Sequence, residues 1–274
     1  MGECCLITEG NGDCSTSKIV EQFYFLPSFI CHVNIVLLQF YMLKIKNFTK
    51  IYANGKVGAK DLNIEVAPGD ICAFIGPNGS GKTTTIRCVV GTLDFNEGEI
   101  LIDNISVKKD PLACKKITAY IPDNPDVYNT LTGIEYLNFV AAVYNIAPAD
   151  RDARIKLYAD KWNLYQDLGA MIKSYSHGMR QKLVLISAFM RNPKLLVLDE
   201  PFVGLDPQAA FTLKEVMNDF VKNGGAIFYS THVLDVAEKI CNKVVIIKNG
   251  TIIKSGSMKD IKADKSLEEV FLNA

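Results

Sequence analysis

Apolar and polar residues alternate from Leu43 to Phe48 and again across Leu62-Asn63-Ile64-Glu65-Val66, the period of two expected of half-buried strands. After the turn residues Ala67-Pro68-Gly69-Asp70 the pattern changes. Ile71 to Ile75 is apolar throughout, too short and too β-branched for a helix, and predicts a strand buried on both faces. Gly98 to Asp103 predicts another strand, which with the first two fits an antiparallel layer packed on a core. From about Asn129 to Asn192 the period becomes helical. Thr132 with Glu135 makes a capping box, Arg151 to Leu164 is amphipathic through Ile155, Leu157, Tyr158, Trp162 and Leu164, and Leu183 to Met190 is an apolar helix ended by Asn192-Pro193. Strands and helices then alternate. Leu195 to Leu198 is a strand, and Asp206-Pro207 caps a helix with Ala209, Leu213, Val216, Met217, Phe220 and Val221 on one face, stopped at Gly224. Ala226 to Ser230 is a strand, Val233 to Ile240 a helix, and Val244 to Lys248 and Thr251 to Lys254 flank the hairpin turn Asn249-Gly250. The pattern predicts an α/β core, an antiparallel β subdomain and an inserted helical subdomain at about 125–193.

The buried strand runs directly into Gly76-Pro77-Asn78-Gly79-Ser80-Gly81-Lys82-Thr83-Thr84, which fits the P-loop spacing, and Thr83 to Val90 reads as the following helix. Strand, glycine-rich turn and helix together distinguish the motif from an ordinary glycine turn. Glycines let successive backbone N–H groups form a nest for phosphate oxygens, and the helix beginning near Gly81 adds the positive end of its dipole. Lys82 can reach the β- and γ-phosphates and the Thr83 hydroxyl can ligate Mg²⁺. The motif implies nucleoside triphosphate binding.

Composition adds limits. The chain has 274 residues, 49% of them hydrophobic and 22% charged, and a formal net charge of zero, so no basic surface for nucleic acid is indicated. Of the 30 basic and 30 acidic groups, residues 1–41 hold only Lys18, Glu3, Glu9, Asp13 and Glu21, leaving 29 and 26 in residues 42–274. Those first 41 residues also hold Cys4, Cys5, Cys14 and Cys31, with no fourth ligand spaced to make a metal cluster of the first three. Cys72, Cys88, Cys114 and Cys241 read as isolated reduced thiols. Phe23 to Tyr41 is long enough to span a membrane, but Pro27, Ser28, His32, Asn34 and Gln39 make it a poor span, and it lacks the basic flank of a signal peptide. The expectation is that translation starts at Met42 and residues 1–41 are a mis-assigned extension; a membrane tether is the alternative.

Asp199-Glu200 closes an apolar strand more than 100 residues after the P-loop, with helices between. A strand-end Asp is placed to hold Mg²⁺, and the adjacent Glu200 is the candidate base for the attacking water. With Tyr52, Tyr175-Ser176-His177-Gly178-Met179-Arg180-Gln181, Gly204-Leu205-Asp206-Pro207 and Ser230-Thr231-His232, these motifs fall in the order seen in ATP-binding cassettes. The whole span 42–274 resembles the ATP-binding subunit of an ABC transporter, a P-loop NTPase. That resemblance implies ATP and Mg²⁺ as cofactors, with Tyr52 stacking on adenine and Gly76, Pro77, Asn78, Gly79, Ser80, Gly81, Lys82, Thr83 and Thr84 holding phosphates. It implies that Thr83 and Asp199 hold the metal, that Glu200, His232 and Lys82 are catalytic, and that Ser176 and Gly178 bind the γ-phosphate of ATP held by a second subunit, with Asp206 across the interface. The partners implied are that second cassette and an integral membrane permease docked near Asp123 to Thr132, and the location is the cytoplasmic face of the membrane.

Two positions depart from the family pattern. The signature, usually Ser-Gly-Gly-Gln, reads Ser176-His177-Gly178-Met179, and the loop expected to carry a glutamine reads Ile121-Pro122-Asp123-Asn124-Pro125, so Asp123 takes the slot with Asn124 beside it. Both departures resemble export-type cassettes. A non-transport cytosolic ABC ATPase would carry paired cassettes or a coiled-coil insertion, and a regulatory ATP-binding module would lack catalytic residues. Neither pattern is found.

Overall fold

Two sheets built on different principles organise the chain. The structure is a computed structural model that describes residues 40–124, 126–263 and 265–273, within a compact unit that begins at Phe40. The start-site, tether and Cys4-Cys5-Cys14 readings fall, apart from Phe40 and Tyr41, outside the described residues.

The first sheet is antiparallel. β1 (Leu43–Ile51) lies between β2 (Val57–Val66) and β4 (Glu97–Ile102), and β5 (Ile105–Ser106) extends it beyond β4. The two-residue period of β1 holds for Leu43 and Ile45 and then breaks. Asn47 takes a positive φ of 47°, the register with β2 shifts between Ile45 and Phe48, and adjacent Phe48 and Thr49 are both buried.

The second sheet has the order β10-β9-β3-β8-β7-β6, with β3 (Ile71–Ile75), β6 (Thr118–Ile121), β7 (Leu195–Asp199), β8 (Ala226–Thr231) and β9 (Lys243–Lys248) parallel and β10 (Thr251–Ser257) returning antiparallel at the edge. Its continuous apolar runs are explained by burial on both faces. Ile71, Ala73 and Ile75 of β3 join one core cluster while Cys72 and Phe74 join the other, and Leu196/Leu198 and Leu195/Val197 of β7 divide the same way.

Helices α1 (Lys82–Val89), α2 (Pro111–Ile117), α3 (Gly133–Val143), α4 (Pro148–Lys161), α5 (His177–Phe189), α6 (Pro207–Lys222), α7 (Leu234–Ile240), α8 (Met258–Lys262) and α9 (Leu267–Leu272), with short 3-10 turns at Tyr165–Asp167 and Ile172–Ser174, complete the described elements. The capping box forms as its sequence requires: Glu135 Oε2 accepts from the Thr132 backbone at 2.8 Å and Thr132 Oγ1 from Glu135 N at 3.3 Å. Helix α5 starts six residues earlier than the Leu183 expected from its apolar run, because in its first turns, His177 to Lys182, Met179 is the single apolar side chain. In α4, Leu157 is 51% exposed, so it is not a core member, whereas Trp162, just past the helix end, is buried.

Cys72, Cys88, Cys114 and Cys241 are free and buried, and burial raises the thiols of Cys72 and Cys88 to about 12 and that of Cys114 to about 11. With almost no thiolate at pH 8, all three should resist alkylation in the native state and react once unfolded. Peptide-resolved mass spectrometry after iodoacetamide treatment checks this; native labelling of Cys72 at the rate of a free thiol would contradict it.

Candidate functional site

The parallel sheet brings the site together. Register pairs Ile75 with Thr231 and Asp199 with Ser230, so the carboxyl ends of β3, β8 and β7 lie side by side although they are distant in sequence. At this edge Tyr52, Asn78, Gly79, Gly81, Lys82, Thr83, Thr84, Asp123, Asp199 and Glu200 line one cleft of about 420 Å³. Crevices beyond the carboxyl ends of parallel strands are where such sheets bind ligands.

The loop from Gly76 to Gly81 is held from both sides. A Cβ on Gly76 would sit 2.3 Å from the Ile247 carbonyl, and one on Gly81, whose φ is +108°, 2.2 Å from the Gly58 carbonyl. The Ser80 carbonyl accepts from Gly250 N at 2.9 Å and its N–H donates to the Pro77 carbonyl at 3.2 Å. Lys82 Nζ donates to the carbonyls of Gly76 (2.5 Å) and Pro77 (3.1 Å). Burial lowers the pKa of this ammonium, and the charges of Glu200 and Asp199 act in the opposite direction. An anionic oxygen entering the cleft would relieve that desolvation directly.

Asp199 is 3% exposed; its Oδ1 accepts from the Ser230 hydroxyl, and its other oxygen accepts no hydrogen bond among the described residues. A buried carboxylate with one unused oxygen, beside the Thr83 hydroxyl and the Asp123 carboxylate, is a hard-oxygen donor set. It suits Mg²⁺, which keeps several waters and takes few protein ligands alongside substrate phosphates. No cluster of three acidic, Cys or His ligands occurs among the described residues, so the set does not form a protein cage for a cation.

Glu200 follows β7 in a left-handed conformation (φ 49°), which turns its side chain out of the strand's alternation. Thr231 Oγ1 donates to Glu200 Oε2 at 3.2 Å, and His232 Nδ1 lies 2.7 Å from Oε1. His232 therefore joins the cleft through Glu200 while 60% of its side chain remains exposed. The Tyr52 hydroxyl bonds the Thr84 hydroxyl at 2.9 Å. Asp123 lines the cleft and Asn124 does not; Asn124 N–H donates to Asp123 Oδ1 at 2.8 Å. Asn54 and Lys56 of the β1–β2 turn and Val57 and Gly58 at the start of β2 also line the cleft, and the sequence motifs do not single them out. The signal was the turn-rich run Ala53-Asn54-Gly55-Lys56 directly after Tyr52.

Gly76, Pro77 and Ser80 of the loop do not themselves line the cleft, nor does His232, and three further expected site residues lie elsewhere. Ser176 caps α5, its Oγ accepting from Met179 N at 3.2 Å, and a Cβ on Gly178 would lie 2.9 Å from the Gly204 carbonyl. Asp206 caps α6 through Ala209 N at 2.8 Å and pairs with Lys182 of α5 at 2.9 Å. Ser176, Gly178 and Asp206 thus form a group of their own that does not line the cleft.

The family model for ABC transporters matches residues 59–203, more than half of the chain. The chain belongs to the ABC transporter family. ABC cassettes bind ATP, and the fold is that of an ABC ATPase: a solved ATP-binding subunit of an ABC transporter superposes with a TM-score of 0.82 at 33% identity, covering 85% of this chain and 98% of its own. The Bacillus subtilis (strain 168) ABC-type transporter ATP-binding protein EcsA is 32% identical over 236 residues, 84% of this chain and 95% of the relative. The SkfA peptide export ATP-binding protein SkfE of the same organism is 34% identical over 215 residues, 78% of this chain and 88% of the relative.

Proposed function

We propose that this ABC cassette hydrolyses ATP as one of a pair of subunits that drive an export-type membrane permease. The carrying observation is the division of the site: P-loop, Asp123, Asp199 and Glu200 share one cleft, while Ser176 and Gly178 stand apart on the N-terminus of α5. A helix N-terminus with a free approach is suited to a phosphate supplied by another subunit. Export is favoured by the signature variant and by the similarity to a peptide-export cassette. No helix among the described residues is long and apolar enough to cross a membrane, which supports a separate permease.

In this reading Tyr52 packs against adenine and the P-loop amides hold the phosphates. Water attacks the γ-phosphorus in line, the new P–O bond forms as the bond to the β-γ bridging oxygen breaks, and Glu200 takes the water proton. Thr231 and His232, both bonded to Glu200, orient it, and Lys82 faces the charge that develops on the γ-phosphoryl oxygens. Mg²⁺ held by Thr83 and Asp199 would supply further neutralisation of phosphate charge.

Because half of each site comes from the other subunit, specific activity should fall steeply on dilution below the dimer constant while ATP binding persists. Turnover per subunit measured across a dilution series, alongside nucleotide binding at each concentration, tests the pairing. Constant turnover in demonstrably monomeric protein would refute it.

A further inference from the structure

At the amino ends of the parallel strands, away from the ATP cleft at their carboxyl ends, a pocket of about 520 Å³ opens between α4, the end of α5 and the end of α6. Tyr158, Lys161, Phe189, Val216, Asp219 and Phe220 are among its walls, and Lys194 and Gly225 mark the entries to β7 and β8. The volume is that of a small-ligand site, and such sites favour junctions between subdomains. One wall is aromatic: Phe189 stands 5.8 Å from Tyr158 and 6.1 Å from Phe220, centroid to centroid. A Cβ on Gly225 would collide with the Phe220 ring, so the glycine lets that ring pack on the backbone.

Two opposite charges on the walls lack partners. Neither the Lys161 ammonium nor the Asp219 carboxylate makes a hydrogen bond or ion pair among the described residues. The neighbouring cations are engaged: Lys194 pairs with Asp103 at 2.6 Å, and Arg154 donates to the Met190 carbonyl at 3.1 Å and to Asp150 at 3.4 Å. Burial raises the pKa of the Tyr158 hydroxyl, Arg154 opposes that rise and Asp219 adds to it, which sets the carboxylate beside the aromatic wall.

Lys161 also borders an adjoining recess of about 80 Å³, shared with Trp162, Lys182, Asp206 and Thr212. Trp162 is 1% exposed, and its Nε1 is buried with no acceptor among the described residues. A buried donor left unmade is costly. Lys182 is already paired with Asp206 at 2.9 Å, so the donors left over at this end are the indole N–H and the Lys161 ammonium. They call for an anionic oxygen, and Asp219 at the other end calls for a cation. Thr212 and Asp219 are seven residues apart on α6, about 10 Å along its axis. The amine and carboxyl of a free amino acid share one Cα and cannot span that gap, whereas an extended chain gains about 3.3 Å per residue, so about three residues do.

We propose that this pocket binds a short apolar peptide of about three residues. Its terminal carboxylate meets Trp162 Nε1 and Lys161, its side chains lie against Phe189, Val216 and Phe220, and its terminal ammonium meets Asp219. A ligand of one charge leaves the other wall charge unanswered, so the site selects for both termini. The inference does not depend on the transporter reading, and the pocket is remote from the Asp123 loop.

The full chain is titrated with the tripeptide Ala-Phe-Ala and with its N-acetylated and C-amidated forms, followed by calorimetry and by fluorescence. Trp162, the single tryptophan of the sequence, packs 6.1 Å from Tyr158 and 5.8 Å from Phe189, so its emission reports filling of the pocket. The free peptide should bind saturably and change that emission, and masking either terminus should weaken binding at least tenfold. Asp219→Asn should weaken the free peptide at least tenfold and leave the N-acetylated form unchanged, and Lys161→Gln should do the same for the free and the C-amidated forms. Both positions are exposed, so fluorescent-nucleotide binding should stay at the wild-type level as the check on folding. Equal binding of the free and masked peptides would show an apolar pocket without charge recognition and would overturn the proposal. Absence of saturable binding at millimolar peptide, or undiminished affinity in either variant, overturns it as well.

Discussion

Replacing Glu200 by glutamine is expected to lower ATP turnover by about 10²- to 10⁴-fold, the usual contribution of a positioned general base. The change is nearly isosteric, and the environment accommodates it: an amide can accept from Thr231 Oγ1 and meet His232 Nδ1, the two contacts Glu200 makes now. Folding and ATP binding should persist, and the uncleaved nucleotide should hold paired subunits together. Steady-state phosphate release, gel filtration in ATP and nucleotide retention are the measurements. If hydrolysis is unchanged, Glu200 is not the base and the geometry at the end of β7 has another purpose.

Gly81→Ala should be strongly damaging for a single added methyl group. The residue sits at φ +108°, and its Cβ would lie 2.2 Å from the Gly58 carbonyl, a backbone atom that cannot rotate away. Backbone strain and overpacking each contribute about 1–3 kcal/mol, so the expected destabilisation is roughly 2–6 kcal/mol. Relief requires separating the P-loop from β2, which spoils the phosphate nest, so ATP binding should fall with stability. Gly79→Ala is the matched control: φ is +78° but the added Cβ meets nothing within 4 Å, so only the conformational penalty of about 1–2 kcal/mol applies. Thermal unfolding and fluorescent-nucleotide binding compare the two variants. Equal effects at Gly79 and Gly81 would show that strain, and not contact with β2, governs this loop.

Both sites of change lie in segments readable from residue order. The Asp206-Pro207 cap was legible, yet the same Asp-Pro signal at Asp110-Pro111 starts α2, where Asp110 accepts from Ala113 N at 3.0 Å, and it was overlooked. Strand β6 escaped notice because it follows α2 with no intervening turn and is only four residues long. Its apolar signal is too brief to separate from the helix before it. The start of α5 was hidden for a different reason: a polar first turn breaks the apolar stripe, and the cap at Ser176 marks it instead.

Sequence alone determined the phosphate loop, because its spacing acts through local backbone conformation and the strand and helix on either side are contiguous with it. It also determined the acidic pair and the order of the family motifs. Tertiary structure decided which of these meet. Strand order sets β8 between β3 and β7, so Lys82, Asp199 and Glu200 converge across more than 100 residues while Ser176, Gly178 and Asp206 gather elsewhere. Non-local pairing leaves no periodic trace in residue order, so only packing shows which motifs share a site.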